Sequence, residues 1–261
     1  MLYKFIQSEE QDSLKVFESI VINGSLKFSS ALGFNDPFEF KFSSVAPSRE
    51  DFDAWHNKYD RERSSDEIEN GWSSFSGAAA DWNTNFVPRQ NLLRHLYILC
   101  MARRWDSHLM WAHYAGSYQG YVVIYHDNLV AEVAALPEFR GYGPVIYSTQ
   151  VADLRWFQVP PNEMLGKVLL TKFEEWSYEK EFRLILASDS KQPAIYRNID
   201  PSSVIGVIFG TRSPERIIDR ALKHQQQRPG FIVQKITSSA NSYALTTYNV
   251  DANSSQYGHM L

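Results

Sequence analysis

Two glutamates separated by one residue begin an apolar segment that runs to Leu186. If this segment is a strand, alternation places Glu179, Glu181 and Arg183 on one face, with the carboxylates about 7 Å apart. Carboxylates at this spacing can hold a ribose diol and stabilise positive charge that develops on the sugar. A charged solvent face of an edge strand would give the same pattern, so the segment alone leaves both interpretations open.

A second group of polar and aromatic residues lies between positions 26 and 39, where a short apolar segment runs into a loop. Its members are Ser29, Ser30, Asn35, Asp36 and Phe38. The loop is predicted to turn at Asp36, because the following Pro37 disfavours helical conformation there. In a purely structural interpretation, the two loop side chains satisfy the turn's own amides and the phenyl ring joins the core.

A third group follows on a predicted helix at residues 107–118. Helical spacing places Trp111 beside Tyr114, with His113 one step around the helix, which predicts an aromatic wall that carries one imidazole. A hydrogen-bonded core histidine would equally account for that imidazole.

Several signatures of common enzymes do not occur in the sequence. It has no Gly-x-Gly-x-x-Gly, no Gly-Lys-Ser/Thr phosphate loop, no Gly-x-Ser-x-Gly and no His-Glu-x-x-His. Dehydrogenase, nucleotide triphosphatase, α/β-hydrolase and metalloprotease classes therefore lose their main support. Without an Asp-rich loop or a histidine pair at ligand spacing, we predict no metal.

Composition indicates a globular protein of the cytoplasm. With 261 residues, 44% of them hydrophobic, and no linker-like stretch, the chain is predicted to form a single domain over residues 1–261. Cys100 is the only cysteine, which excludes an intrachain disulfide and fits a reducing compartment. No apolar stretch approaches membrane-spanning length, so no membrane association is expected. A net charge of -4 gives no overall attraction for nucleic acid.

Hydrophobic periodicity predicts more strands than helices. The strands are predicted at residues 2–6, 26–29, 96–101, 121–125, 145–147, 182–186, 204–209, 230–235 and 244–248. The helices are predicted at residues 12–22, 107–118, 162–175 and 213–226, with a turn at 140–144 and a frayed C-terminus over the last dozen residues. Many connections are too short for helical crossovers, so the fold class is α+β with a mostly antiparallel sheet.

The polar segment at about 48–95 is predicted to be a helical insertion or lid. A basic stretch overlaps its end, with Trp105 as a neighbouring aromatic residue, and consists of Arg89, Arg94, His95, Arg103 and Arg104. It is compatible with a nucleic-acid strand, and equally with a solvated face paired with nearby acids.

Together and in this order, the three groups resemble the bacterial domain of unknown function 2971 family. The shared marks are Leu-Tyr-Lys-Phe at residues 2–5, Asn-Asp-Pro-Phe-Glu at 35–39, Met-Trp-x-His-Tyr-Ala at 110–115 and Lys-x3-Trp-x-Tyr-Glu-x-Glu-x-Arg at 172–183. The resemblance covers about residues 2–210. That family looks like a divergent relative of the ADP-ribosyltransferases, which implies a split, mostly antiparallel sheet with NAD in the cleft between its halves.

The resemblance also implies roles for individual residues. Glu181 takes the position of the catalytic glutamate, and Glu179 that of the companion that helps with the acceptor. The first-strand position falls at Tyr3 or Lys4, and the sequence departs from the family there because a lysine stands where Arg or His is usual. The second-strand position falls at Ser29 or Ser30.

The other residues are expected to contact NAD. Trp111, Tyr114 or Phe38 would stack on nicotinamide or adenine, Lys4 or Arg183 would offset the diphosphate, and Asn35 and Asp36 would shape the loop or bond a ribose. Lys4, Ser29, His113 and Glu181 would then converge on one cleft.

The implied function is NAD-dependent ADP-ribosyl transfer to a macromolecule, protein or nucleic acid, as in a bacterial toxin or anti-phage effector with an antitoxin or regulatory partner. NAD would be the co-substrate. Two alternatives stay open: an NAD glycohydrolase, in which water replaces the acceptor, and a catalytically silent module that binds a nucleotide or partner in the same cleft.

Overall fold

The chain forms a mixed α+β fold in which helices flank a large, mostly antiparallel sheet. The computed structural model describes residues 1–8, 12–45, 47–79, 90–91 and 93–250. The strands are β1 (Leu2–Ile6), β2 (Ser25–Ser30), β3 (Phe42–Val45), β4 (Leu96–Ala102), β5 (Tyr121–Tyr125), β6 (Phe139–Pro144), β7 (Ile146–Ser148), β8 (Ala152–Arg155), β9 (Thr171–Phe173), β10 (Glu181–Ala187), β11 (Ala194–Asn198), β12 (Val204–Phe209), β13 (Ile232–Ser238) and β14 (Leu245–Asn249). The helices are α1 (Ser13–Phe17, continued by a π-helical turn at Glu18–Ile22), α2 (Arg49–Tyr59), α3 (Ser65–Ala79), α4 (His108–Tyr114), α5 (Leu129–Ala134), α6 (Pro161–Leu170) and α7 (Glu215–Gln227).

The main sheet runs in the order β11-β2-β4-β1-β5-β12-β13-β14, and β10 and β6 branch from β4. Of the strand pairs described in this sheet, β12 with β13 is the one parallel pair. Two small parallel pairs, β3 with β8 and β7 with β9, lie outside it. This arrangement confirms the predicted α+β class with a mostly antiparallel sheet.

The sheet forks at β4. On one edge, β4 pairs with β10 along its whole length, from Leu96 to Ala102. On the other edge, Ala102 pairs with Tyr3 of β1, whereas Ile98 and Tyr97 pair with the end of β2. Within the described chain no pairing joins β1 to β2, so a gap opens between them beside the middle of β4. We call this gap the fork.

The two faces of the sheet bury different sets of side chains. On the first face, α1, α5 and α7 pack with Phe17, Leu129 and Ile217 against the sheet. The second face packs against α6 near Ile185 and against α4 near Phe5. Alternation along β10 places Glu181 on this second face, in line with Arg183 and Ile185. The carboxylate of Glu181 therefore lies on the side of the sheet that α4 and α6 cover.

Several element boundaries differ from the sequence prediction. Helix α4 ends at Tyr114, not at residue 118, because Gly116, Ser117 and Tyr118 all adopt positive φ, the usual way in which a helix stops. The helix predicted at 162–175 ends at Leu170, and the β-branched Thr171 begins β9.

Other strands were not predicted at all. The glycine-containing segment 139–144 is strand β6, paired with β10, where a turn was expected. The short strands β3, β8 and β11 also escaped prediction, because each has too few apolar residues to show periodicity. The other predicted strands are confirmed within a few residues.

The prediction of helices after residue 48 is confirmed for α2 and α3. Helix α2 begins with a capping box in which Ser48 and Asp51 bond each other's backbone amides, and its Phe52 packs against Trp72 and Phe157. Residues 80–89 and 92, and the C-terminus predicted to be frayed at 251–261, lie outside the described residues. The described part of the chain contains no helix with the length and apolar character needed to cross a membrane.

Candidate functional site

Five charged side chains meet in the interior beside the fork. This charge cluster consists of Glu39, Lys172, Glu179, Glu181 and Arg183. None of them is more than 9% exposed at its side chain. Buried charges are costly unless they are paired and hydrogen-bonded, so their mutual contacts decide whether the cluster is stable.

Four segments of the chain bring these side chains together. Glu181 and Arg183 lie on β10, which is paired on both edges, by β4 and β6. The charged face of an edge strand, one of the two interpretations of the sequence, is therefore wrong. Glu39 precedes β3, and Lys172 lies on β9.

Glu179 does not share the strand with Glu181, contrary to the sequence prediction. It ends a 3-10 helical turn at Glu174–Glu179, and Lys180 between the two glutamates has φ 45°. This left-handed residue redirects the chain, so that both carboxylates reach Lys172. The two glutamates converge, but by a turn rather than by strand alternation.

Arg183 is fully buried, and its guanidinium bonds two of the three carboxylates. It donates from Nε to Glu181 Oε1 at 2.8 Å, and from Nη2 to Glu39 Oε1 at 2.6 Å and to Glu181 Oε2 at 3.0 Å. Its Nη1 donates to the carbonyl of Leu169 at 2.5 Å. This forked geometry is one that a lysine cannot reproduce.

Lys172 joins the third carboxylate to the cluster. Its Nζ lies 2.6 Å from Glu179 Oε2, 3.2 Å from Glu181 Oε2 and 3.6 Å from Glu39 Oε2. The other oxygen of Glu179 accepts a hydrogen bond of 2.6 Å from the hydroxyl of Tyr114. Every carboxylate in the cluster therefore contacts a cation.

The cluster holds three carboxylates and two cations, and the pKa values of Glu181 and Glu179 shift in opposite directions. Burial alone would raise the pKa of Glu181, but Arg183 and Lys172 outweigh it and lower this pKa to about 2. Burial raises the pKa of Glu179 in spite of Lys172 and Tyr114. Burial opposes the charge on Lys172, yet the surrounding carboxylates raise its pKa. Glu181 is therefore the carboxylate held ionised.

This pairing predicts a loss of stability in acid. The folded-state pKa of Glu181 lies near 2, below its usual 4.5, so its contribution to stability is present above pH 4.5 and disappears as the pH falls towards 2. The pKa of Glu179 is raised above 4.5, so its effect has the opposite sign: as the pH rises and Glu179 loses its proton, the free energy of unfolding falls. We expect the free energy of unfolding, measured with urea, to fall between pH 4.5 and 2 more steeply for the wild type than for Glu181→Gln. Equal slopes would contradict the assignment.

A small cavity lies at the fork, next to the charge cluster. This fork cavity has a volume of about 120 Å³. It is lined by Tyr3, Lys4, Phe5, Phe34, Asn35, Cys100, Met101, Ala102, Met110, Tyr114, Glu179 and Glu181. Strands β1 and β4 and both glutamates of the Glu-x-Glu pair therefore border one space.

Lys4 occupies the gap between the strands. Its Nζ donates to the carbonyl of Cys100 at 2.7 Å, a backbone group on the edge of β4 beside the fork. No described carboxylate forms an ion pair with this ammonium, and burial lowers its pKa. The fork thus contains a partly buried ammonium that bonds a carbonyl, and the charges of Glu181 and Glu179 act on it from beyond ion-pair distance.

A second cavity of about 290 Å³ begins at the same lysine. We call it the helix-side cavity, because Val16 and Ile20 of the α1 segment form one wall. Lys27 and Ser29 of β2 also line it, as does Tyr125, which is 1% exposed. The two cavities share Lys4 and Phe5, so together they follow the fork.

The structure gathers most of the predicted site residues around the fork, but not all of them. Trp111 is fully buried, stacks on Tyr118 and donates from its indole nitrogen to Trp105, so it is not available to stack on a ligand. The donors of Arg183 are used within the cluster, so it is not available to a diphosphate. His113 is exposed, with its ring 6.5 Å from that of Tyr178, and is not a core histidine.

The loop residues divide between two spaces. Asn35 lines the fork cavity, whereas Asp36 and Phe38 line a larger cavity together with Glu39 and Lys172. Asp36 also accepts a hydrogen bond from the amide of Phe38, as the structural interpretation of the turn predicted. Ser30 follows Ser29 on β2, and its amide donates to the carbonyl of Pro193.

Sequence reasoning missed four residues that hold Glu181 in place. Glu39 ends the Asn-Asp-Pro-Phe-Glu motif and Lys172 begins the Lys-x3-Trp motif, but the sequence predicts no site role for either residue. The hydroxyl of Tyr147 accepts a hydrogen bond from the amide of Glu181, and the thiol of Cys100 lies against its carboxylate. The Glu-x-Glu-x-Arg segment has two carboxylates and one arginine. This excess of negative charge is the only feature of the sequence that indicated a further cationic partner.

The basic stretch does not form one surface strip. Arg104 is paired with Asp106 and His95 with Asp189, while Arg103 lies over the ring of Phe182. Arg89 lies outside the described residues. These ion pairs favour the interpretation that the basic residues form a solvated surface paired with nearby acids, and disfavour a surface that binds a nucleic-acid strand.

No protein-family model matches the chain, and neither the curated proteins nor the solved structures include one with significant similarity to it.

Proposed function

We propose that the chain is an NAD-dependent ADP-ribosyltransferase whose site lies at the fork. One observation carries the proposal: a buried carboxylate on β10 whose pKa is held low, and a partly buried ammonium on β1 with which no described carboxylate forms an ion pair, border the same cavity. An anionic group of a ligand would complement Lys4, and a developing positive charge would complement Glu181.

NAD has groups that match both ends of this arrangement. In the reaction, the bond from the ribose C1′ to nicotinamide breaks and its electron pair leaves with nicotinamide, while an acceptor atom bonds to C1′ and loses its proton. Positive charge develops on the ribose as the bond breaks, close to where Glu181 is held. The negative diphosphate would lie near Lys4.

The size of the cavities supports an extended pose along the fork. Pockets that enclose a drug-sized ligand are typically about 300–1,000 Å³, so the fork cavity at 120 Å³ holds only one end of a dinucleotide. The nicotinamide ribose would occupy it, and the adenosine end would pass Lys4 into the helix-side cavity, next to Ser29.

The test is release of nicotinamide from NAD by the purified wild type, with and without cell lysate as a source of acceptors. Label from the adenylate phosphate of NAD is then followed into protein and nucleic-acid fractions. Release that depends on lysate, with label in a macromolecular fraction, is the expected result. Release without transfer would identify a glycohydrolase and overturn the transferase assignment.

Glu179→Gln should separate transfer from hydrolysis. Glu179 is bonded to Tyr114 and Lys172, and its raised pKa makes it the member of the pair better able to take a proton from an acceptor. We expect transfer to fall by about 100-fold or more, the typical contribution of a general base, while nicotinamide release changes less. Equal losses in the two assays would assign Glu179 to positioning Lys172 instead.

A specific observation favours a second function, a silent nucleotide-binding module. Arg183 and Lys172 already donate three hydrogen bonds to Glu181, close to the capacity of about four lone-pair sites of a carboxylate. A ribose hydroxyl would have to replace a weak contact such as that of Cys100. NAD binding detected by calorimetry, without nicotinamide release under any condition, would select this alternative.

A further inference from the structure

A third cavity takes no part in the proposed chemistry. It has a volume of about 500 Å³ and borders the charge cluster. Glu39 and Lys172 form part of its wall, so it reaches the same cluster that the fork cavity reaches through Glu179 and Glu181. We call it the aromatic cavity.

Three aromatic side chains line this cavity, and two of them are unusually exposed. Phe38 is 70% exposed and Phe173 is 46% exposed, while Trp176 is partly buried with Lys172 5.0 Å from its ring. Phe38 and Phe173 therefore present apolar area to solvent at the mouth of a cavity, the position in which aromatic side chains commonly receive a planar ligand.

The rest of the lining is polar and close to neutral. Thr149 and Gln150 supply hydrogen-bonding groups that match the edge of a heterocyclic ring. Lys172 and Glu39 are already paired within the cluster, and the carboxylates of Asp36 and Glu175 face only Lys41 as a further cation. This balance favours an uncharged ring with donors and acceptors at its edge over a polyphosphate.

We propose that the aromatic cavity binds a nucleobase, and that this base belongs to the acceptor of the transfer reaction. That a base binds here is inferred from the cavity alone. That this base belongs to the acceptor depends also on the proposed function. Lys172 connects the two sites physically: its ammonium bonds both Glu179 and Glu181, and its side chain lines the aromatic cavity. A base bound there would border Glu39 and Lys172, while the nicotinamide ribose would border Glu179 and Glu181.

The test is titration of the full chain with adenosine, guanosine, cytidine and thymidine in the absence of NAD, followed by calorimetry or ligand-observed NMR. At least one nucleoside should bind. Phe38→Ala and Phe173→Ala should each weaken this binding about 10-fold, the effect expected when a base loses one stacking partner. Tyr196→Ala, which removes a ring 59% exposed on β11, is the matched control and should bind as the wild type does.

Two further arms identify the source of the base. A short single-stranded oligonucleotide that binds more tightly than the nucleoside indicates a base within a strand, and equal affinity indicates a free nucleoside. Saturating NAD should leave nucleoside binding intact; displacement by NAD, with Phe38→Ala weakening NAD equally, would overturn the acceptor role. Absence of binding to the wild type at millimolar nucleoside, or unchanged affinity in both phenylalanine variants, overturns the site.

These outcomes are separable from failure of the proposed function. Nucleoside binding needs no NAD and no chemistry at Glu181. A chain that binds nucleosides through Phe38 but never releases nicotinamide would refute the transferase and retain the nucleobase site.

Discussion

Replacing Arg183 with methionine should lower the free energy of unfolding by about 3–5 kcal/mol, the cost typical of breaking a buried ion pair from one side. The guanidinium is fully buried and donates to both Glu39 and Glu181. Its removal leaves three buried carboxylates around Lys172 alone. Urea denaturation at pH 7 measures the change.

A matched control is Arg197→Met. Arg197 also forms a 2.6 Å ion pair, with Glu138, but both side chains are more than a quarter exposed, so the expected loss is about 1 kcal/mol or less. Adding Glu39→Gln to Arg183→Met should recover part of the lost stability, because it removes one of the three buried carboxylates that would share Lys172. If the two arginine variants lost equal stability, the buried cluster would not be the stabilising unit described above.

Glu181→Gln should reduce nicotinamide release by about 100-fold or more. Glutamine preserves the shape of the side chain but not its charge, and loss of one preorganised electrostatic group commonly costs 10²–10³ in rate. The substitution leaves Arg183 with Glu39 as its remaining carboxylate partner, so some loss of stability accompanies it. Rates are therefore compared at a temperature where circular dichroism shows both proteins folded.

Glu174→Gln is the matched control for that experiment. Glu174 is an exposed glutamate of the same 3-10 turn and does not line the fork cavity. Its rate should equal that of the wild type. A folded Glu181→Gln protein that released nicotinamide as fast as Glu174→Gln would remove this carboxylate from the chemistry.

Strong local periodicity explains what could be predicted of the fold. Residues 121–125 are apolar throughout, and the structure buries every one of them in the interior of the sheet. The segment 139–144 reads as a turn because of Gly141 and Gly143, yet it pairs with β10. Pairing with a distant strand overrides local propensity, and a sequence read locally does not contain that information.

The candidate site shows the same limit more sharply. Glu181 could be singled out because two carboxylates and an arginine stand close together in the chain. Glu39, which accepts a hydrogen bond from Arg183, lies 144 positions before that arginine, and only the folded chain brings the two together. The left-handed Lys180, on which the meeting of Glu179 and Glu181 depends, has no glycine or asparagine to signal it.

The fork has a mechanical consequence. Three ladder positions attach the β2 and β1 branches to β4, against seven on the edge shared with β10. Tilting one branch relative to the other therefore strains few backbone hydrogen bonds, and the side chain of Lys4 adds one bond from β1 to the carbonyl of Cys100 on β4. A ligand that bonded this ammonium in place of the carbonyl would remove that link, and a single ladder position, Tyr3 with Ala102, would then hold the β1 branch to β4.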